Sequence, residues 1–209
     1  MILCVIQARM SSNRLPGKVL KDLAGKPMLQ WVIDAAKDSK LIDGVVVATS
    51  TMASDLPIVE HCHNEGIYCR TGSLDDVLGR FYAVAMEWRP THIVRLTADC
   101  PLLTGEIIDS VIREYLSEGY RYVVNNCDGV DVEVFTYGEL LKAHKLVVSK
   151  YDREHVTTYM QNECDAGLME EITLFCRNDI ERKNTFSVNT QEEFDRMGGI
   201  LCSLNQNHC

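Results

Sequence analysis

The run Ile2-Leu3-Cys4-Val5-Ile6-Gln7-Ala8-Arg9-Met10-Ser11-Ser12-Asn13-Arg14-Leu15-Pro16-Gly17-Lys18 opens the chain and decides how the rest is read. Residues 2–7, apolar up to Gln7, predict a first strand; the apolar stretch is too short, and lacks the basic lead-in, to be a secretion signal. The connection that follows carries three cations, two serines, an asparagine and a glycine. A guanidinium presents forked donors to phosphate oxygens, and lysine adds a compact charge. Serine hydroxyls and exposed backbone N–H groups add neutral donors, and Gly17 lets the backbone turn close to a ligand. The natural partner of such a loop is a polyphosphate. Neither GxxxxGK[ST] nor GxGxxG is present, so the motifs of ordinary ATPases and of dinucleotide-binding enzymes are absent.

Outward from this stretch, short apolar runs alternate with amphipathic ones. Strands are predicted at 2–7, 44–49, 67–70, 92–97 and 120–125. Helices are predicted at 28–36 behind Pro27, at 74–88 capped by Ser73 with Asp76 three residues on, and at 106–117 behind Thr104. Alternation of this kind produces an α/β fold, a mostly parallel sheet sandwiched by helices. After Asn126 the rhythm changes. A strand at 131–135 precedes a helix opened by Thr136 with Glu139 in the capping-box position, then a helix around 152–162. Strands at 169–177 and 186–188 lead to a last helix opened by Thr190 and Glu193. The pattern fits one domain spanning 1–209, with a small subdomain inserted around 128–180.

In an open parallel sheet the ligand crevice lies beyond the carboxyl ends of the strands. A second signal sits at such an end: Arg95-Leu96-Thr97-Ala98-Asp99-Cys100-Pro101-Leu102, where a carboxylate follows a strand and a proline stops the ladder. Asp99 is thus expected in the same crevice as the basic loop. A carboxylate facing a polyphosphate repels it unless a divalent cation lies between them, and Mg²⁺ is commonly held by one or two carboxylates together with phosphate oxygens and water.

Composition bounds the alternatives. The 209 residues are 46% hydrophobic and 24% charged, as in ordinary globular proteins, and 21 Lys and Arg against 30 Asp and Glu give a net charge of −9. That sign argues against a nucleic-acid partner. No apolar run approaches the roughly 20 residues a membrane span needs. Nine scattered cysteines without CxxC spacing are expected to be buried free thiols in a reducing cytoplasm. His61 and His63 do not share a helical face, and with Cys62 and Cys69 they are read as core and surface positions; Cys100 is read as a small packing residue. Val77, Phe81, Val84, Ala85 and Trp88 form a core stripe at helical spacing.

Four ordered motifs, IQARMSSNRLPGKVL, TADCPL, DGVDVEVF and REHVTTYM, together resemble the cytidylyltransferases of the spore-coat polysaccharide biosynthesis protein F type, relatives of the synthetases for CMP-Kdo and CMP-sialic acid. The resemblance implies a nucleotide-diphospho-sugar-transferase-like fold and transfer of CMP from CTP to a sugar or sugar acid, with release of pyrophosphate. It also implies dimerisation through the inserted subdomain. By motif position, Ala8, Arg9, Ser11, Arg14, Lys18 and Thr97 fall to the nucleotide, with Arg14, Lys18 and Asp99 carrying catalysis. Asp131, Glu133, Arg153 and His155, with Glu154 between the last two, fall to the acceptor. Asp99 and Asn189 fall to Mg²⁺. Val188-Asn189-Thr190 departs from the family's usual VDT by an amide in place of a carboxylate, with Asp131 or Glu133 available to compensate. Use of another nucleoside triphosphate, a sugar-phosphate acceptor, or a catalytically weakened nucleotide-binding protein are the alternatives left open.

Overall fold

The computed structural model describes residues 1–125, 127–165, 170–172 and 186–206. In chain order its strands are β1 (Ile2–Gln7), β2 (Asp22–Leu23), β3 (Lys26–Pro27), β4 (Gly44–Ser50), β5 (Tyr68–Gly72), β6 (His92–Thr97), β7 (Tyr122–Asn125), β8 (Val132–Thr136) and β9 (Glu170–Ile172). The helices are α1 (Met28–Asp38), α2 (Leu56–Asn64), α3 (Val77–Trp88), α4 (Gly105–Glu118), α5 (Tyr137–Leu146), α6 (Lys150–His155), α7 (Thr158–Asp165) and α8 (Gln191–Gln206).

Strand β1 sits inside a seven-stranded sheet ordered β5-β4-β1-β6-β8-β7-β9 because both of its faces are apolar. Cys4 and Ile6 point to one face, where they join Val47, Val94 and Leu96 beneath α1 and α4. Leu3 and Val5 point to the other, with Val46, Ala48 and Ile93 beneath α3 and α5. Each fully buried aliphatic side chain of this kind contributes about 1.5–3 kcal/mol relative to exposure. Among the described strands of the sheet β8 alone runs antiparallel to its neighbours, β6 and β7. The chain builds β1, β4 and β5 outward in one direction, then returns to place β6 on the other side of β1. The order therefore switches between β1 and β6, which parts the connections leaving those two strands and opens a crevice there.

Several boundaries differ from the sequence expectation for local reasons. Helix α3 starts at Val77, because Asp76 is the residue that caps it: Gly79 N–H donates to Asp76 Oδ1 at 2.8 Å, while Ser73 Oγ accepts only the Asp76 N–H. The helix expected around 152–162 is two, broken at buried Val156, whose φ of 57° is unusual for a β-branched residue. Residues 186–188 form no strand; Val188 N–H donates to Asp99 carbonyl at 2.9 Å and so ties the segment to the end of β6. Of the strand expected at 169–177 only β9 lies within the described residues, and residues 207–209 of the polar tail lie outside them. The cysteines also depart from expectation: Cys4, Cys62 and Cys100 are buried free thiols, but Cys69 is half-buried, Cys202 is exposed and Cys127 is disulfide-bonded.

Candidate active site

The loop leaving β1 is folded on its own backbone. Met10 carbonyl accepts the N–H groups of both Ser12 and Gly17 at 2.9 Å, and Gly17 takes the left-handed backbone, φ 70°, that this closure needs. Met10 N–H donates in turn to Asp55 Oδ1 at 2.8 Å, and Asp55 also accepts from Ser50 Oγ. Asp55 is fully buried and anchors the start of the loop to the end of β4. Although Asp55 immediately precedes α2, its side chain makes no capping hydrogen bond to that helix.

On the other side of the crevice, β6 ends at Thr97, and Ala98 N–H donates to Gln7 carbonyl at 3.1 Å, tying the two connections together. Between them lies a cleft of about 340 Å³. Among the residues assigned by motif, Ala8, Arg9, Arg14, Lys18, Thr97, Asp99, His155 and Asn189 line it. Ser11 does not; its neighbours Ser12 and Asn13 do. Arg80 and Glu154 also line it.

Lys18 is 7% exposed and spans the cleft floor. Its Nζ donates to Asp99 Oδ2 at 2.8 Å, to Asn189 Oδ1 at 3.3 Å and to Val188 carbonyl. Asp99 Oδ1 accepts no hydrogen bond among the described residues, and the Asp99 side chain keeps 29% of its exposure. Arg14 is exposed and has no ion pair among the described residues. Arg9 reaches across to Glu154 at 3.1 Å.

The capping box at the start of α8 holds Asn189 in place. Glu193 Oε2 accepts the N–H groups of Asn189 at 2.7 Å and Thr190 at 2.9 Å, and Thr190 Oγ1 accepts Glu193 N–H at 3.2 Å. Burial pushes the Glu193 carboxyl up, but these donors outweigh it and hold it below its usual range.

The remaining motif residues lie outside the cleft lining. Glu133, opposite Arg95 in the β6–β8 register, pairs with it at 2.8 Å; its Oε2 is buried without a partner among the described residues. Asp131 accepts Gly129 N–H at 3.0 Å and the Cys100 thiol, and burial pushes its carboxyl above the usual range. Arg153 forks onto Asp76 at 2.7 and 2.9 Å, fastening α6 to the start of α3 and so positioning Glu154 and His155.

Among the described residues no cluster of three or more His, Cys, Asp or Glu side chains can cage a metal. One carboxylate and one amide oxygen, Asp99 and Asn189, stand together at the cleft. That hard-oxygen set suits a Mg²⁺ ion whose other ligands arrive with phosphate and water.

A mostly parallel sheet covered by helices on both faces, with a basic loop at its switch point, is the architecture of the nucleotide-diphospho-sugar transferases. The chain belongs to the cytidylyltransferase family, whose model matches residues 3–200. It is 40% identical over 161 residues to an uncharacterized protein of Methanocaldococcus jannaschii, spanning 76% of this chain and 66% of that one. It is 34% identical over 168 residues to spore coat polysaccharide biosynthesis protein SpsF of Bacillus subtilis, spanning 77% of this chain and 70% of that one. In three dimensions it resembles a cytidylyltransferase from Leptospira borgpetersenii with a TM-score of 0.89 and 28% identity, over 97% of this chain and 87% of the other.

Proposed function

We propose that this protein transfers CMP from CTP to a hydroxyl of a sugar or sugar acid, releasing pyrophosphate, in the biosynthesis of a surface polysaccharide or other glycan. The observation that carries this reading is the convergence of Arg9, Arg14 and Lys18, all from one loop, with Asp99 from the neighbouring strand end on a single cleft. Family membership points to CTP, and the name of the Bacillus relative, a spore coat polysaccharide biosynthesis protein, points to polysaccharide.

Phosphoryl chemistry is driven by positioning and charge stabilisation, and these residues supply both. Arg14 and Lys18 grip the β and γ phosphates and stabilise the departing pyrophosphate. Ala8 and Thr97 border the nucleoside, with Ser12 and Asn13 as further donors. Asp99 and Asn189 are the residues that would hold Mg²⁺, which when bound neutralises phosphate charge between them and the nucleotide. His155 faces the acceptor directly, while Arg153 and Glu133 act through the side chains they brace. The segment around 128–180 contributes the acceptor side and the contact between two copies. Exposed apolar side chains there, Leu146 at 56%, Val148 at 88% and Tyr151 at 65%, support that contact.

Pyrophosphate release from each of the four nucleoside triphosphates, with and without Mg²⁺, against a panel of acidic and neutral sugars, tests the reading. Release that is selective for CTP and dependent on an acceptor is expected. Tight CTP binding with no release on any acceptor would favour the second reading, a nucleotide-binding protein of weakened catalysis. That reading draws on Asn189 standing where a second acid would strengthen the metal site.

A further inference from the structure

Arg80 lies on α3 in the wall of the cleft and is 3% exposed. Its guanidinium is left short of partners: Nη1 donates to Ser73 carbonyl at 3.1 Å, Nε is buried without an acceptor, and no carboxylate lies within ion-pair distance among the described residues. The acids around it are committed elsewhere. Asp55 holds Met10 N–H and Ser50 Oγ; Asp76 holds Arg153 and Gly79 N–H; Glu154 holds Arg9. Burial first, then the charge of Arg9, depresses the Arg80 guanidinium to about 10, against the pull of those three acids.

A guanidinium kept from water without a bound counter-charge is costly. The backbone nevertheless makes room for this one: at Gly72, the end of β5, a Cβ would come within 2.8 Å of Arg80 Cγ. Arg9 shares the same cleft, close enough to be felt by Arg80, and its present partner Glu154 is 41% exposed on α6. A cation held under these conditions in a cleft wall fits an anion that arrives and leaves.

We propose that Arg80 and Arg9 form one phosphate-binding pole, separate from the Lys18–Asp99 cluster, and that Glu154 is a placeholder on Arg9 that incoming phosphate displaces. This rests on the nucleotide reading given above and extends it to two residues outside the basic loop. Arg80 then binds phosphate oxygens, and Glu154 sets how readily the pole accepts them.

Calorimetric titration with inorganic triphosphate, CTP and cytidine separates the possibilities. Glu154→Gln, at an exposed position that spares the fold, is expected to bind inorganic triphosphate about three- to fivefold more tightly, the range of an exposed ion pair removed from competition. Arg80→Met is expected to weaken inorganic triphosphate and CTP alike by at least about tenfold, with Arg80→Lys in between. Thermal melts identify a variant that has failed to fold, and Glu154→Gln then decides. Unchanged or weaker triphosphate binding in Glu154→Gln overturns the placeholder. Arg80→Met losing cytidine while keeping inorganic triphosphate overturns the phosphate assignment. If the wild type binds inorganic triphosphate through Arg80 but shows no preference for CTP, this inference stands and the CTP reading falls. If it binds no inorganic triphosphate, the pole falls.

Discussion

Lys18 Nζ lies 2.8 Å from Asp99 Oδ2 and 3.3 Å from Asn189 Oδ1, so a side chain of the first loop touches both residues proposed to hold the metal. Loop, strand end and the strap ahead of α8 are joined through one ammonium. Replacing Lys18 by Met takes away the ammonium beside Asp99 that would grip phosphate, and removes three hydrogen bonds from a buried point. The expected outcome is a loss of about 3–4 kcal/mol of transition-state stabilisation, more than a hundredfold in turnover, accompanied by a lower melting temperature. Arg14→Ala removes an exposed side chain. It should reduce pyrophosphate release by a similar factor with an unchanged melt. Steady-state assays paired with calorimetry check both, and a near-normal rate in either variant removes that residue from the chemistry.

Asn189 supplies an oxygen but no charge at the same point. Asn189→Asp places a second carboxylate beside Asp99, and divalent affinity rises with the number of charged oxygens. Mn²⁺ binding followed by electron paramagnetic resonance is expected to tighten about tenfold, and the Mg²⁺ concentration giving half-maximal release to fall in step. Unaltered Mn²⁺ affinity would place the ion elsewhere.

The strap that carries Asn189 is held down by a glycine. At Gly129, φ 81°, a Cβ would stand 2.1 Å from Phe186 C and 2.3 Å from Ser187 N. Alanine there clashes with backbone and also strains its own. Gly129→Ala should lift residues 186–189 off Asp99, weakening CTP binding and lowering stability by about 2–3 kcal/mol. Urea denaturation and nucleotide titration on the same preparation check the pair of effects.

How much of this was legible beforehand depended on whether the signal was local. The first strand, the basic loop and the strand-end Asp99 follow from apolar patterning and from charge types needed by phosphate, and the fold places them where the switch point requires. Thr136 and Thr190 were readable as caps because a cap is a three-residue contact. Asp55 and Arg80 were not, since what distinguishes them is burial beside residues far away in the chain. Glu133 and Arg153 were visible as charged residues, but their partners Arg95 and Asp76 became known only once strands and helices had paired.

Asp76 gives that pairing a pH signature. Burial pushes its carboxyl up, yet the Arg153 fork and the Gly79 N–H outweigh burial and hold the group below its usual range. A carboxylate depressed in the folded state adds stability above its unfolded value, about 3.9, and loses that contribution as the pH falls through the folded value. Asp76→Asn retains a capping oxygen but gives up the charge that Arg153 grips, so the variant should be less stable than the wild type at pH 7, by about 1 kcal/mol. The gap should begin to narrow as the pH falls below about 3.9, and close once it has passed below the depressed folded value, where the wild-type group is neutral as well. Because the same pair fastens α6, acceptor affinity at pH 7 should fall along with stability, through the loosened placement of His155. Denaturant melts of both proteins across pH 3–7 measure the gap; one that stays constant over that range would show that Asp76 contributes through its cap alone and that its ion pair with Arg153 adds nothing.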